Sequence, residues 1–253
     1  MRSTQRNGVP NSVLGRALTL LTAFRGGDDE LSLAELHRRT GIAKPTAHRL
    51  LGELAGWDVV ERTPTGVRLG LRLFELGQLV PRQRDLAEAA APLLADLFEA
   101  THETVHLAVA DGVEVVYLQK LVGPQGPTVP SRVGGRMPLH CTGVGKALLA
   151  FGPPGLVRRV LAGGLDRRTP RTLAAPGLLA AELARIRDRG VAFEYEESTV
   201  GITCVAAPVL DGTGTAVAAV SITGWVNRLD PDRFAPAVRT AALGLSRALR
   251  ACE

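Results

Sequence analysis

The chain has 253 residues, 45% of them apolar, and a formal net charge of +5. That length suits one large packed domain or two modest ones, and that apolar share excludes a disordered chain. The positive balance comes almost wholly from arginine, since Lys44, Lys120 and Lys146 are the only lysines. It suits a polyanionic partner, because cationic side chains release counterions from nucleic acid.

Residues 1–11 read as an arm. Val13, Leu14, Ala17, Leu18, Leu21 and Phe24 then repeat at helical spacing until Gly26 and Gly27. Ser32 opens a second helix, and with Glu35 it has the spacing of a capping box. Gly41 ends that helix. A third begins at Lys44-Pro45, where proline is tolerated because a first-turn amide has no partner to lose. Its buried stripe is Ala47, Leu50, Leu51 and Leu54. Val59-Val60 and Val67–Leu69 flank Pro64, Thr65 and Gly66, which predicts a hairpin. Residues 71–80 are amphipathic and expected to end at Pro81.

The second part of the chain opens with a helix over 85–100, broken or restarted at Pro92. Strands are expected over 104–110 and 113–118 around Asp111-Gly112, and over 202–209 and 216–223 around Asp211-Gly212. Helices are expected over 143–151, 178–188 and 234–251. Alternating helices and hairpins predict a mixed α/β domain of the α+β type with a largely antiparallel sheet.

Three helices, a tight turn at 40–43 and a following hairpin have the shape of a winged helix-turn-helix. The third helix would present Lys44, Pro45, Thr46, His48 and Arg49 to the major groove. Ser32, at the start of the second helix, is a further expected DNA contact, and Arg62 and Arg68 on the hairpin would meet backbone or minor groove. The expected partner is a double-stranded DNA operator.

Three strings suggest other chemistry. His102-Glu103-Thr104-Val105-His106 matches the zinc-protease pattern, which needs one continuous helix and a third ligand. Here β-branched residues start a strand inside the string, where the two histidines would stand about 13 Å apart. The segment 140–147 resembles a phosphate loop, but His140 replaces the first glycine and Ala147 the hydroxyl that would hold magnesium. Cys204 lies in the apolar run GITCVAAPV, without the positive neighbour that activates a thiol. No catalytic residue, metal or cofactor is assigned. A cysteine- or metal-dependent enzyme remains the alternative reading, with a GAF-like small-molecule sensor lacking a specific operator beside it.

The cysteines 141, 204 and 252 are odd in number and widely spaced, as in a reducing compartment. No secretory signal is visible over the first residues, and no run is apolar enough for a membrane span. A cytoplasmic protein is expected, with no membrane partner.

The segments RALTLLTAF, LSLAELHRRTGIAKPTAHRLLGELAGWDVVER and RLGLRLFELG resemble the DNA-binding half of the IclR family of transcription regulators. The resemblance continues, in family order, through SRVGGRMPLHCTGVGKALLA, GVAFEYEESTVGITCVAAPVLD and AVAAVSITG. It implies a winged helix-turn-helix domain over 1–70, a linker helix over 71–81 and a GAF-like effector-binding domain over 82–253. It further implies homodimers or tetramers, and repression as the commoner outcome. An effector pocket for a small organic acid or aromatic metabolite would be lined by Met137, His140, Gly143, Val144, Glu194, Ile202, Cys204, Ser221 and Thr223. Pro45 departs from the family, where serine is common.

Overall fold

The computed structural model describes residues 12–124 and 126–251; the arm expected over 1–11, and Cys252, lie outside them. Contacts divide the chain into two units, with the division between Arg84 and Asp85.

The first unit holds α1 (Val13–Thr22), α2 (Leu33–Thr40), α3 (Lys44–Ala55), β1 (Val60–Arg62), β2 (Val67–Leu69) and α4 (Leu71–Gln78). Ser32 caps α2 by accepting the Glu35 amide at 3.2 Å. Only half of the expected capping box forms, because the Glu35 carboxylate is taken by Arg38 and Arg39. Gly41 ends α2 at φ +71°, a conformation that glycine adopts without steric cost. Leu20, Leu36, Ile42, Ala47, Leu50 and Leu51 form the core, closed by Val60 and Val67. The hairpin β1–β2 is fastened by a bridge between Leu31 and Val67. A Cβ at Gly66 would lie 2.2 Å from the Leu31 carbonyl oxygen, so that bridge demands glycine. α4 buries none of its residues, and Leu71, Phe74 and Leu76 are exposed.

Pro81 does not terminate a helix as expected; it begins α5 (Pro81–Thr101). The missing amide that ends one helix is harmless in the first turn of the next. Pro92 lies inside α5 without splitting it.

The second unit adds β3 (Thr104–Asp111), β4 (Glu114–Leu121), β5 (Arg136–Pro138), α6 (Gly143–Phe151), α7 (Leu156–Ala162), α8 (Pro176–Arg189), β6 (Ala192–Tyr195), β7 (Ile202–Leu210), β8 (Ala216–Trp225) and α9 (Pro231–Arg250). Six strands run in the order β5-β4-β3-β8-β7-β6, every neighbouring pair antiparallel. Val205, Ala207, Val209, Val220 and Ile222 pack toward α5 and α9. Their neighbours Cys204, Ala206 and Ala219 pack toward α6, α7 and α8. The two-residue period of a strand thus feeds two cores, and β7 and β8 read as continuously buried because both faces are covered.

Candidate nucleic-acid interface and candidate ligand cavity

α3 presents Lys44, Pro45, His48 and Arg49 as exposed residues, with Thr46 half-buried beside them. Ala47 and Leu50 point the opposite way, into the core, which fixes the outward face by helical period. The hairpin lies beside this face. Arg62 Nη1 comes within 3.5 Å of His48 Nε2, so strand and helix bring two of the expected contacts together. Arg49 is paired with Glu53 one turn on, and Arg68 with Glu61 across the hairpin. Both pairs are exposed, so the guanidinium groups can exchange these carboxylates for phosphate at little cost. Ser32 is exposed, but its hydroxyl is already committed to the α2 cap.

In the second unit a cavity opens between the sheet and α6. Strand register explains its polar wall. Glu194, Cys204 and Thr223 are successive partners in one cross-strand row, and Ala206, Ser221 and His106 in the next. Met137, Ile202, Gly143 and Val144 complete the expected lining. His140 is not among its lining residues. Its ring nitrogen Nε2 lies 3.0 Å from the Asp166 carbonyl, a loop contact away from the cavity wall. The family resemblance implied His140 there; the turn before α6 directs its ring to the Asp166 carbonyl.

Sequence reasoning missed several lining groups. His106 is buried, with Nε2 at 2.8 Å from Ser131 Oγ and Nδ1 at 3.5 Å from Ser221 Oγ. Tyr117 packs against its ring at 5.1 Å and donates to Met137 Sδ at 3.6 Å. Strand alternation with Ala108 and Thr104 could have placed His106 on the cavity face. The zinc-protease string drew attention to its spacing from His102 instead. That string straddles the end of α5 and the start of β3, as expected from its β-branched residues. Among the described residues no cluster could hold a metal ion.

α6 begins at the cavity. Thr142 caps it, accepting the Gly145 amide at 3.2 Å and donating to the Pro138 carbonyl at 3.0 Å. Gly143 and Val144, whose first-turn amides have no acceptor within the helix, are among the lining residues. A Cβ at Gly143 would meet Cys204 Sγ at 2.7 Å, so glycine allows the helix to approach β7.

Burial governs the charges here. The Glu194 carboxyl is pushed up to about 7 by burial, against the pull of the Ser198 amide. Its Oε1 accepts from the amides of Glu197 at 2.6 Å and Ser198 at 3.0 Å. His106 is driven down to about 3 by burial and by Lys120, so it stays neutral. Burial raises the thiols of Cys141 and Cys204 to about 12, which suits packing rather than nucleophilic attack. Lys146, the lysine of the phosphate-loop-like string, is 1% exposed and pairs with Glu197 Oε1 inside the protein. It is therefore turned away from any nucleotide.

A helix-turn-helix with a hairpin, and a polar cavity in a second unit, define a DNA-binding regulator with a ligand site. Residues 13–64 match the IclR helix-turn-helix domain, and residues 78–247 the bacterial transcriptional regulator IclR C-terminal domain. The chain is 34% identical over 240 residues to the HTH-type transcriptional regulator XynR of Escherichia coli, covering 92% of this chain and 95% of that protein. It is 33% identical over 242 residues to the HTH-type transcriptional repressor AllR of Salmonella typhi, covering 93% and 89%. An IclR homolog from Microbacterium hydrocarbonoxydans, solved in complex with 4-hydroxybenzoate, superposes with a TM-score of 0.88. That match has 29% identity and covers 95% of this chain and all of that one. The chain belongs to the IclR family of transcription regulators, and the relatives it resembles are regulators, not enzymes.

Proposed function

We propose that this regulator is an effector-responsive repressor, with residues 1–70 reading an operator, 71–81 linking and 82–253 binding the effector. Thr46, His48 and Arg49 contact base edges, Lys44 contacts phosphate, and Arg62 and Arg68 hold the backbone or minor groove. Pro45 supplies shape but no donor. The exposed apolar residues of α4, Leu71, Phe74 and Leu76, support pairing of two copies, whose α3 helices then meet half-sites about one helical turn apart. Dimers pair further into tetramers, and the protein works in the cytoplasm. Among the described residues no helix is long and apolar enough to cross a membrane.

The observation that carries the effector reading is the cavity itself: buried hydroxyls and a carboxyl in two adjacent strand rows, with the first turn of α6 also in the lining. The ligand is a small organic acid or aromatic metabolite, gripped by apolar walls and oriented by these groups. The 4-hydroxybenzoate bound to the structural relative is an aromatic acid of that class. Effector binding favours one arrangement of the dimer and shifts operator affinity by about 1–3 kcal/mol.

Gel-shift titrations on the DNA upstream of the chain's own gene separate the two functions. Ser221→Ala with Thr223→Ala weakens the effector response about tenfold and leaves DNA affinity intact. His48→Ala and Arg49→Ala each cost about 1–3 kcal/mol of operator binding and leave the effector response of the remaining complex unchanged. Equal loss of both functions in the cavity variant would defeat this division of labour.

A further inference from the structure

A second concavity lies in the ligand-binding unit, and its lining shares no residue with that of the cavity. It is a notch left where β6 stops short. β6 begins at Ala192, opposite Ala206, while β7 runs on to Leu210. Ala207 and Pro208 of β7 line the notch, with Phe151 from the end of α6 and Leu243 from α9. The open edge of β7 is closed to a further strand. Pro208 has no amide hydrogen, and the Leu210 amide already donates to Ser246 Oγ at 2.9 Å.

Three arginines share this apolar lining: Arg187 and Arg189 from the last turn of α8, and Arg239 from α9. Cations at the end of a helix commonly serve its own last carbonyls. These two reach beyond α8 instead. Arg187 Nε donates to the Ala150 carbonyl at 2.8 Å, and Arg189 Nε to the Val191 carbonyl at 2.6 Å. An anchored Nε fixes the plane of the guanidinium and leaves its terminal nitrogens to be aimed. Glu182 takes one terminal nitrogen of Arg189 at 2.5 Å. Arg239 has no hydrogen-bond or ion-pair partner among the described residues. Asp188 is the acid of the lining, so three cations meet one carboxylate there, or two with Glu182 behind Arg189. The excess is positive, although residues 85–253 as a whole carry as many acids as cations.

We propose that this notch is a second ligand site, which takes a small organic phosphate ester, its apolar body against Phe151, Pro208 and Leu243 and its phosphate on Arg187, Arg189 and Arg239. Three guanidinium groups from two helices suit the three terminal oxygens of a phosphate, whereas one arginine fork already satisfies both oxygens of a carboxylate. The apolar lining favours an ester over free phosphate, and the concave shape favours a small molecule over the backbone of DNA. The site stands on its own residues and does not depend on the reading of the cavity.

Calorimetry on the full chain with phenyl phosphate as the probe tests the assignment. The wild type binds phenyl phosphate about tenfold more tightly than inorganic phosphate, because the ring buries apolar surface. Arg239→Gln weakens phenyl phosphate by about tenfold or more, and Arg187→Gln added to it removes the remaining binding. Arg239 is exposed and holds nothing in the fold, so its variant keeps wild-type stability and operator affinity and decides the question alone if the double variant unfolds. Ser221→Ala with Thr223→Ala leaves phenyl phosphate binding unchanged, since neither residue lines the notch. Absence of binding to the wild type, equal binding by Arg239→Gln, or loss in the cavity variant instead overturns the site. Inorganic phosphate bound as tightly as the ester overturns the ligand class. So does an Arg239→Gln variant that loses affinity for non-specific duplex and not for phenyl phosphate, which gives these arginines to the DNA backbone.

Discussion

The two units treat polar groups in opposite ways. In the DNA-reading unit the charged side chains are outside, and the pairs Arg49–Glu53 and Arg68–Glu61 are about half exposed on both sides. Such pairs contribute about 0–1 kcal/mol each and can dissolve when a phosphate arrives. In the ligand-binding unit the working groups are inside, in strand rows and at a buried helix start. There Lys146, His106 and Glu194 Oε1 each have a buried neighbour, and a lost neighbour leaves a charge or dipole with no water to replace it. A surface that meets a partner tolerates loose pairing, whereas an interior that meets one does not.

Three changes measure how far that contrast holds. The largest effect is expected at the buried pair. Lys146→Met leaves Glu197 without its cation and should cost about 3–5 kcal/mol in urea unfolding, most of it recovered by adding Glu197→Leu. A loss under about 1 kcal/mol would mean that water reaches the pair and the contrast fails. Next comes Glu194. Its folded-state value near 7 lies above the ordinary carboxyl value of 4.5, so the folded state holds the proton more tightly. Stability from this group is therefore full at low pH and is lost as pH rises between about 4.5 and 7, by about 3 kcal/mol in all. The unfolding free energies of wild type and Glu194→Gln, followed across that window, should diverge by this amount. A constant difference would place Glu194 in contact with bulk water. The smallest effect is expected at the surface. Glu53→Gln should change stability by less than about 0.5 kcal/mol, while releasing Arg49 raises affinity for non-specific DNA at low salt.

The same contrast decides what the sequence reveals. The helix-turn-helix is legible because one face of each helix is apolar and the other is not: Leu36, Ala47 and Leu50 alternate with Lys44, His48 and Arg49. In the second unit, β7 and β8 are legible as apolar runs, but burial on both faces hides which residues point to the cavity. Family resemblance pointed to Glu194, Cys204, Ser221 and Thr223, and register shows why they meet. His106, Tyr117 and Ser131 went unread because their partners lie far along the chain. β5 and β6 were missed for a plainer reason. Arg136–Pro138 is a three-residue edge strand ending in proline, and Ala192–Tyr195 hides its strand in a run of glutamates. α7 is a seven-residue helix rich in arginine, too short for a period to show.

The pairing of β3 with β8 has a consequence for how the molecule is made. His106 finds Ser221 across 115 residues of sequence, whereas the core of the first unit closes within residues 20–67. Contacts so distant are slow to form, and chains fold from the end that leaves the ribosome first. During synthesis, the part that grips DNA is complete while the part that would instruct it still lacks two central strands. Newborn copies thus pass through an interval in which the first unit is finished and the second is still without its sheet.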